Sequence, residues 1–96
     1  MNASEWQARL ADFVALLLRQ PDFTIRIEAH SARLWQGQAP QAFVTDCALI
    51  ARDSQLQRGL IYGCRRRDVL RLEFSRHVPE FSHQRFRNAW MVHKTR

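Results

Sequence analysis

The sequence predicts an α+β domain: an antiparallel sheet of four or five strands with an N-terminal amphipathic helix and a C-terminal helix packed on one face. Three observations predict it. Apolar residues recur at helical spacing near both ends, the period changes to two between them, and turn-forming residues separate the alternating segments. Ninety-six residues leave room for one core, so residues 1–96 read as a single domain.

The elements follow in order. Over residues 3–20, Trp6, Leu10, Phe13, Val14 and Leu17 share one helical face, Ser4 and Gln7 suit a capping box, and acids lie early with Arg19 late, as the helix dipole prefers. Pro21 and Asp22 end that helix. Phe23, Ile25, Ile27 and Ala29 then alternate with Thr24, Arg26, Glu28 and His30, a strand with one buried face, and a second strand is expected over Ala32–Gln36. Gly37 and Pro40 break the chain. Residues 42–57 fit two patterns. Phe43, Val44, Cys47, Ile50 and Ala51 suit a helix from Pro40 to near Gly59, whereas Phe43, Thr45, Cys47 and Leu49 suit a strand only if Thr45 is tolerated inside. The β-branched content and the turn-like Ala51–Ser54 favour strand.

A short strand is expected at residues 59–63 and another at Val69–Ser75, with Leu70, Leu72 and Phe74 on one side and Arg71 and Glu73 on the other. The intervening Cys64–Asp68 makes a hairpin loop with Arg65, Arg66 and Arg67 at its tip. Pro79 and Ser82 introduce the last helix, where Phe86, Ala89, Trp90 and His93 share a face and Arg85 and Arg87 lie away from it.

Charge is the most informative functional feature. Met1–Ala51 carries −1 and Arg52–Arg96 carries +7, giving the net +6, and fourteen of the fifteen basic residues are arginine. A guanidinium grips phosphate or carboxylate at two points where an ammonium acts as a point charge. Codon bias in a GC-rich genome accounts for much of the preference over lysine. It does not account for the placement, and a one-sided basic field attracts nucleic acid or an acidic protein surface. The expected binding residues are Arg58, Arg65, Arg66, Arg67, Arg71, Arg85 and Arg87, with Tyr62 as the least committed of the aromatics Tyr62, Phe81 and Phe86 that could stack on bases.

Other chemistries find little support in the sequence. Arg58–Tyr62 departs from the aromatic strand motif of RNA-recognition domains, because Leu60 stands where a stacking ring is required. Phe81–Arg85 lacks the lysines with which double-stranded-RNA-binding domains open their last helix. His30, His77, His83 and His93 lack the close pairing of zinc ligands, so neither metal nor cofactor is expected. Of the two cysteines, Cys64 beside the basic loop has the surroundings that lower a thiol pKa. No histidine-based or glycine-rich signature accompanies it, and the chain reads as a non-enzyme. The longest apolar run, Phe13–Leu18, is far below the roughly 18 residues of a membrane span, and the start does not read as a signal peptide. The expectation is a cytoplasmic binding module of a bacterial, phage or mobile-element system. It engages nucleic acid or, alternatively, an acidic protein surface, and self-association through an apolar strip including Trp35 is also open to it.

Overall fold

The computed structural model describes residues 5–7, 9–11, 14 and 20–94, and the alternation that begins at Phe23 becomes its first strand. β1 (Phe23–Glu28) turns through Ala29 and His30 into β2 (Ser31–Gly37), and β3 (Arg58–Arg66) turns through Arg67 and Asp68 into β4 (Val69–Phe74). The four strands make one sheet in the order β2-β1-β3-β4, antiparallel throughout, with β1 and β3 central. The strand pattern was legible because one face is largely apolar: Phe23, Ile25 and Ile27 of β1, Ile61 of β3 and Leu72 of β4 all enter the main core.

Both hairpins use two-residue loops with positive φ at each position, Ala29 at 51° and His30 at 62°, Arg67 at 51° and Asp68 at 66°. That backbone matches the twist of the flanking strands, and asparagine or glycine adopts it at lowest cost. The first loop is held by backbone bonds from Ala29 N to Gln57 O and from His30 N to Leu56 O, both 3.0 Å, and by a 2.6 Å contact between Gln57 Nε2 and His30 Nε2. The second loop projects further than expected, since β3 runs on through Arg65 and Arg66 and leaves only Arg67 and Asp68 at the turn.

Residues 42–57 correct the strand expectation. They contribute a helix, α1 (Gln41–Asp53), whose buried Phe43, Val44, Cys47, Ile50 and Ala51 recur at helical spacing, while Thr45 and Leu49 face out. It ends at Asp53, short of the stop expected near Gly59. Gln55 takes the left-handed conformation usually given to glycine, at φ 55°, so that Gln55 N donates to Arg52 O at 3.1 Å and Leu56 N to Ala51 O at 2.8 Å. Leu56 is buried in the same core as Ile50 and Ala51, and this apolar contact holds the turn without a glycine.

The last helix, α2 (Glu80–Lys94), opens where Ser82 Oγ donates to Pro79 O at 2.7 Å. It runs antiparallel to α1, for His93 meets Asp46 and Arg85 meets Asp53. The two helices lie side by side on one face of the sheet. Phe23, Phe43 and Trp90 interlock there with ring centroids 5.0–6.1 Å apart, and His83 stacks on Phe74 at 4.0 Å. The helix beside the C-terminal one is therefore α1 and not the N-terminal segment. Residues 5–7, 9–11 and 14 are helical, but Glu5 and Arg9 border a cavity with Arg26, Glu28 and Leu60, on the opposite face. Phe13 and Leu17, part of the expected N-terminal stripe, lie outside the described residues.

That opposite face carries a second, smaller core of Leu60, Tyr62 and Cys64. Trp35 packs against it from a bulge in β2, where Thr24 faces Gln36 and Ile25 faces Leu34, and the Arg26 guanidinium sits 5.4 Å from its ring centroid. Trp35 is thus half-buried. Among the described residues no helix is long and apolar enough to cross a membrane.

Candidate polyanion-binding edge

β4 ends the sheet, so its outer rim has no neighbouring strand to cover it. Alternation decides where its arginines point. Arg66, Arg71 and Glu73 lie on the face away from the helices, since Cys64 faces Arg71 and Tyr62 faces Glu73 across the ladder. Arg65 lies on the helix side opposite Leu70, and Arg87 of α2 reaches over β4 from that same side, its guanidinium 5.1 Å from the Phe74 ring centroid. Arg71 and Phe74 are three residues, or about 10 Å, apart along the strand. The rim is therefore flanked by guanidinium groups on both faces.

Their electrostatic states differ. Arg65 Nε is paired with Asp22 Oδ2 at 3.1 Å and its Nη1 donates to Asp68 O at 3.4 Å. Arg66 Nη2 meets Glu73 Oε2 at 3.2 Å, with its side chain 69% exposed. Pairs this exposed contribute little to stability and are readily exchanged for another anion. Arg67 and Arg71 are exposed and make no ion pair with any described residue. Of the eight residues expected to bind, the fold thus gathers Arg67, Arg71 and Arg87 about the β4 rim, with Arg65 and Arg66 at its hairpin end.

The other three are placed elsewhere. Arg58 sits at the far end of β3, eight residues or about 26 Å from Arg66, where it borders a cavity of about 200 Å³ with Arg9, Arg26, Glu28 and His77. Arg85 turns toward the end of α1, 3.6 Å from Asp53 Oδ2 and 3.2 Å from Ser54 Oγ, so Arg85 and Arg87 leave α2 on opposite flanks rather than from one outward face. Tyr62 is 1% exposed and cannot offer its ring to a base. Phe86 is likewise core, which leaves Phe81, 71% exposed, as the accessible member of the three aromatics.

The sequence reading missed the neighbourhood of the rim. A helix of fifteen residues is about 22 Å long and a strand of six about 20 Å, so a helix doubling back along β4 must end beside the hairpin tip. Trp90, His93 and Lys94 accordingly border a concavity of about 560 Å³ with Arg65, Asp68, Val69 and Leu70. The lengths were available; the antiparallel run of α2 along β4 was not assumed.

The thiols and histidines have structural surroundings. Cys47 is fully buried, and burial first, with the Asp46 carboxylate second, pushes its thiol well above the ordinary cysteine value. Neither effect favours the thiolate, so Cys47 is expected to resist iodoacetamide at pH 8 in the native protein and to react once unfolded. Mass mapping of the alkylated peptide against denaturant checks this. Cys64 is buried in the second core with Leu60 and Tyr62. His93 Nε2 lies 2.6 Å from Asp46 Oδ2 and His83 Nε2 lies 2.9 Å from Val78 O. Among the described residues no three histidine, cysteine, aspartate or glutamate side chains converge as a metal site would require.

Comparison with curated proteins and with solved structures finds no match. One family model matches residues 12–96, which takes in both hairpins, both helices and the arginine rim. The chain belongs to that family, described as a protein of unknown function (DUF3634).

Proposed function

We propose that the protein is a non-enzymatic binding module whose β4 rim and β3–β4 hairpin tip engage the phosphate backbone of nucleic acid. The observation that carries this reading is the grouping of Arg67, Arg71 and Arg87 about one edge, with Arg66 at its hairpin end, three of the four without an ion pair among the described residues. Such a group presents two-point donors to successive phosphates, and each contact releases counterions. The turn adds support. Arg67 occupies a left-handed position where asparagine or glycine costs less, so the tip keeps a guanidinium at the expense of local backbone strain.

Binding of a labelled oligonucleotide, followed by fluorescence anisotropy across salt, tests the reading. With four phosphate contacts the plot of log affinity against log salt should slope at about −3 to −4. Replacing Arg67 and Arg71 together by alanine should flatten it by about 2 and leave the thermal midpoint nearly unchanged, both being exposed. Converting Arg67-Asp68 to Asn-Gly should stabilise the fold by about 1 kcal/mol while weakening binding. An affinity indifferent to salt sinks the proposal.

A second reading, an acidic protein partner, is favoured by the exposed Phe81 and Met91 on α2, 71% and 57% accessible. Phosphate backbone gains nothing from a methionine, whereas a protein surface does. Under this reading Met91→Ser weakens association with the partner and leaves oligonucleotide binding intact.

A further inference from the structure

We propose that the 560 Å³ concavity beside the hairpin tip is a mononucleotide site, which receives one unpaired nucleotide of the strand whose phosphates run along the rim. The inference rests on the polyanion reading and deepens it by assigning the part of the ligand that the rim cannot hold. Its volume falls within the ~300–1,000 Å³ typical of small-ligand pockets. Leu70 and Trp90 supply apolar walls, Lys94 and the Asp22-paired Arg65 supply cations, and the Asp68 carboxylate is an acceptor without a donor side chain among the described residues.

The mixture narrows the ligand. A bare anion would use the cations but leave the apolar walls and the carboxylate unmatched. A sugar phosphate would match the charges and set its hydroxyls against aromatic surface, where they lose hydrogen bonds. A nucleotide satisfies all three, with its phosphate toward Lys94 and Arg65, ribose hydroxyls donating to Asp68, and a flat base against the apolar side. The Arg65 pair with Asp22 is half-exposed and free to exchange for phosphate. Trp90, half-buried on the wall of the concavity, places an indole where its signal reports whether the space is filled.

Titration of ¹⁵N-labelled protein with adenosine and uridine monophosphate tests the assignment, read on the Trp90 indole signal. Saturable shifts are expected, with binding about tenfold weaker in Lys94→Gln. Gln38→Trp, at an exposed position on the lining, should block the site without unfolding the chain, as far-ultraviolet circular dichroism will show. Absence of any Trp90 shift overturns the proposal, as does an equal response to inorganic phosphate alone or to adenosine alone. If oligonucleotides bind through Arg67 and Arg71 while the Trp90 signal stays fixed, this inference falls and the rim remains. If the mononucleotides bind but oligonucleotide affinity ignores salt, the rim reading falls and the pocket remains.

Discussion

Phe43→Ala is expected to cost about 3–5 kcal/mol, the range for truncating a fully buried phenylalanine. Domains of this size are stable by only about 5–15 kcal/mol in all, and small ones lie at the lower end, so the variant should be largely unfolded at physiological temperature. The size of the effect comes from what Phe43 touches: the Phe23 ring at 6.1 Å, Trp90 at 5.0 Å and His93 at 6.2 Å. It joins α1 to β1 and to α2 at one point, and a cavity there is lined by rigid rings that collapse poorly. Urea denaturation measures the loss, with Leu49→Ala as the companion. A strand over this segment would place residues 43 and 49 on one face and make both substitutions costly. The helix buries Phe43 and leaves Leu49 43% exposed, so Leu49→Ala should change stability by less than about 0.5 kcal/mol. Equal losses at both positions would contradict the helix.

That pair also marks where the fold was and was not legible. The strands were readable because period two with one apolar face has few alternatives once Pro21, Gly37 and Pro40 set the limits. Residues 42–57 carried both periods at once, since Phe43 and Cys47 satisfy i, i+4 as well as even spacing. The deciding feature was the end of the helix. A glycine after Ser54 would have announced it; Gln55 in the left-handed conformation, held by the buried Leu56, performs the same role and reads as nothing in the sequence. Tertiary burial supplied what local propensity lacked.

The candidate site divides in the same way. Arg66, Arg67 and Arg71 could be grouped from sequence because a hairpin forces neighbours in the chain to be neighbours in space. Arg85 and Arg87 could not be sorted, because two residues apart on a helix is about 200°, and which flank meets Asp53 or Phe74 depends on how α2 is rolled on the sheet. Tyr62 looked free because alternation along β3 gives it the face opposite Ile61, and a one-sided sheet would expose that face. The second core with Leu60, Cys64 and Trp35 buries it instead. With Tyr62 buried, the rings left for a base contact include Phe81 and the indole of Trp90 beside the concavity.

Gly63→Ala is expected to destabilise the fold by about 2 kcal/mol, near the middle of the overpacking range, although alanine is the better strand residue. Gly63 does not have a left-handed backbone, so conformational freedom is not the reason for glycine there, and alanine alone would gain about 0.5–1 kcal/mol from reduced chain entropy. The reason is space. Gly63 faces Phe23 directly across the β1–β3 ladder, and an added Cβ would stand 2.3 Å from Phe23 Cε2. Phe23 cannot retreat, because Trp90 and Phe43 hold its other sides at centroid distances of 5.4 and 6.1 Å. A double-mutant cycle with Phe23→Leu isolates the contact. The smaller side chain frees the space the methyl needs, so the double variant should be more stable than the sum of the single losses by about 1–2 kcal/mol, within the usual coupling between touching residues. Because the same rings wall the concavity at Trp90, the Gly63→Ala protein should also show a displaced Trp90 indole signal before any ligand is added. Strict additivity in the cycle would mean that Phe23 does not lie over Gly63, and the position of the aromatic cluster on the sheet would have to be redrawn.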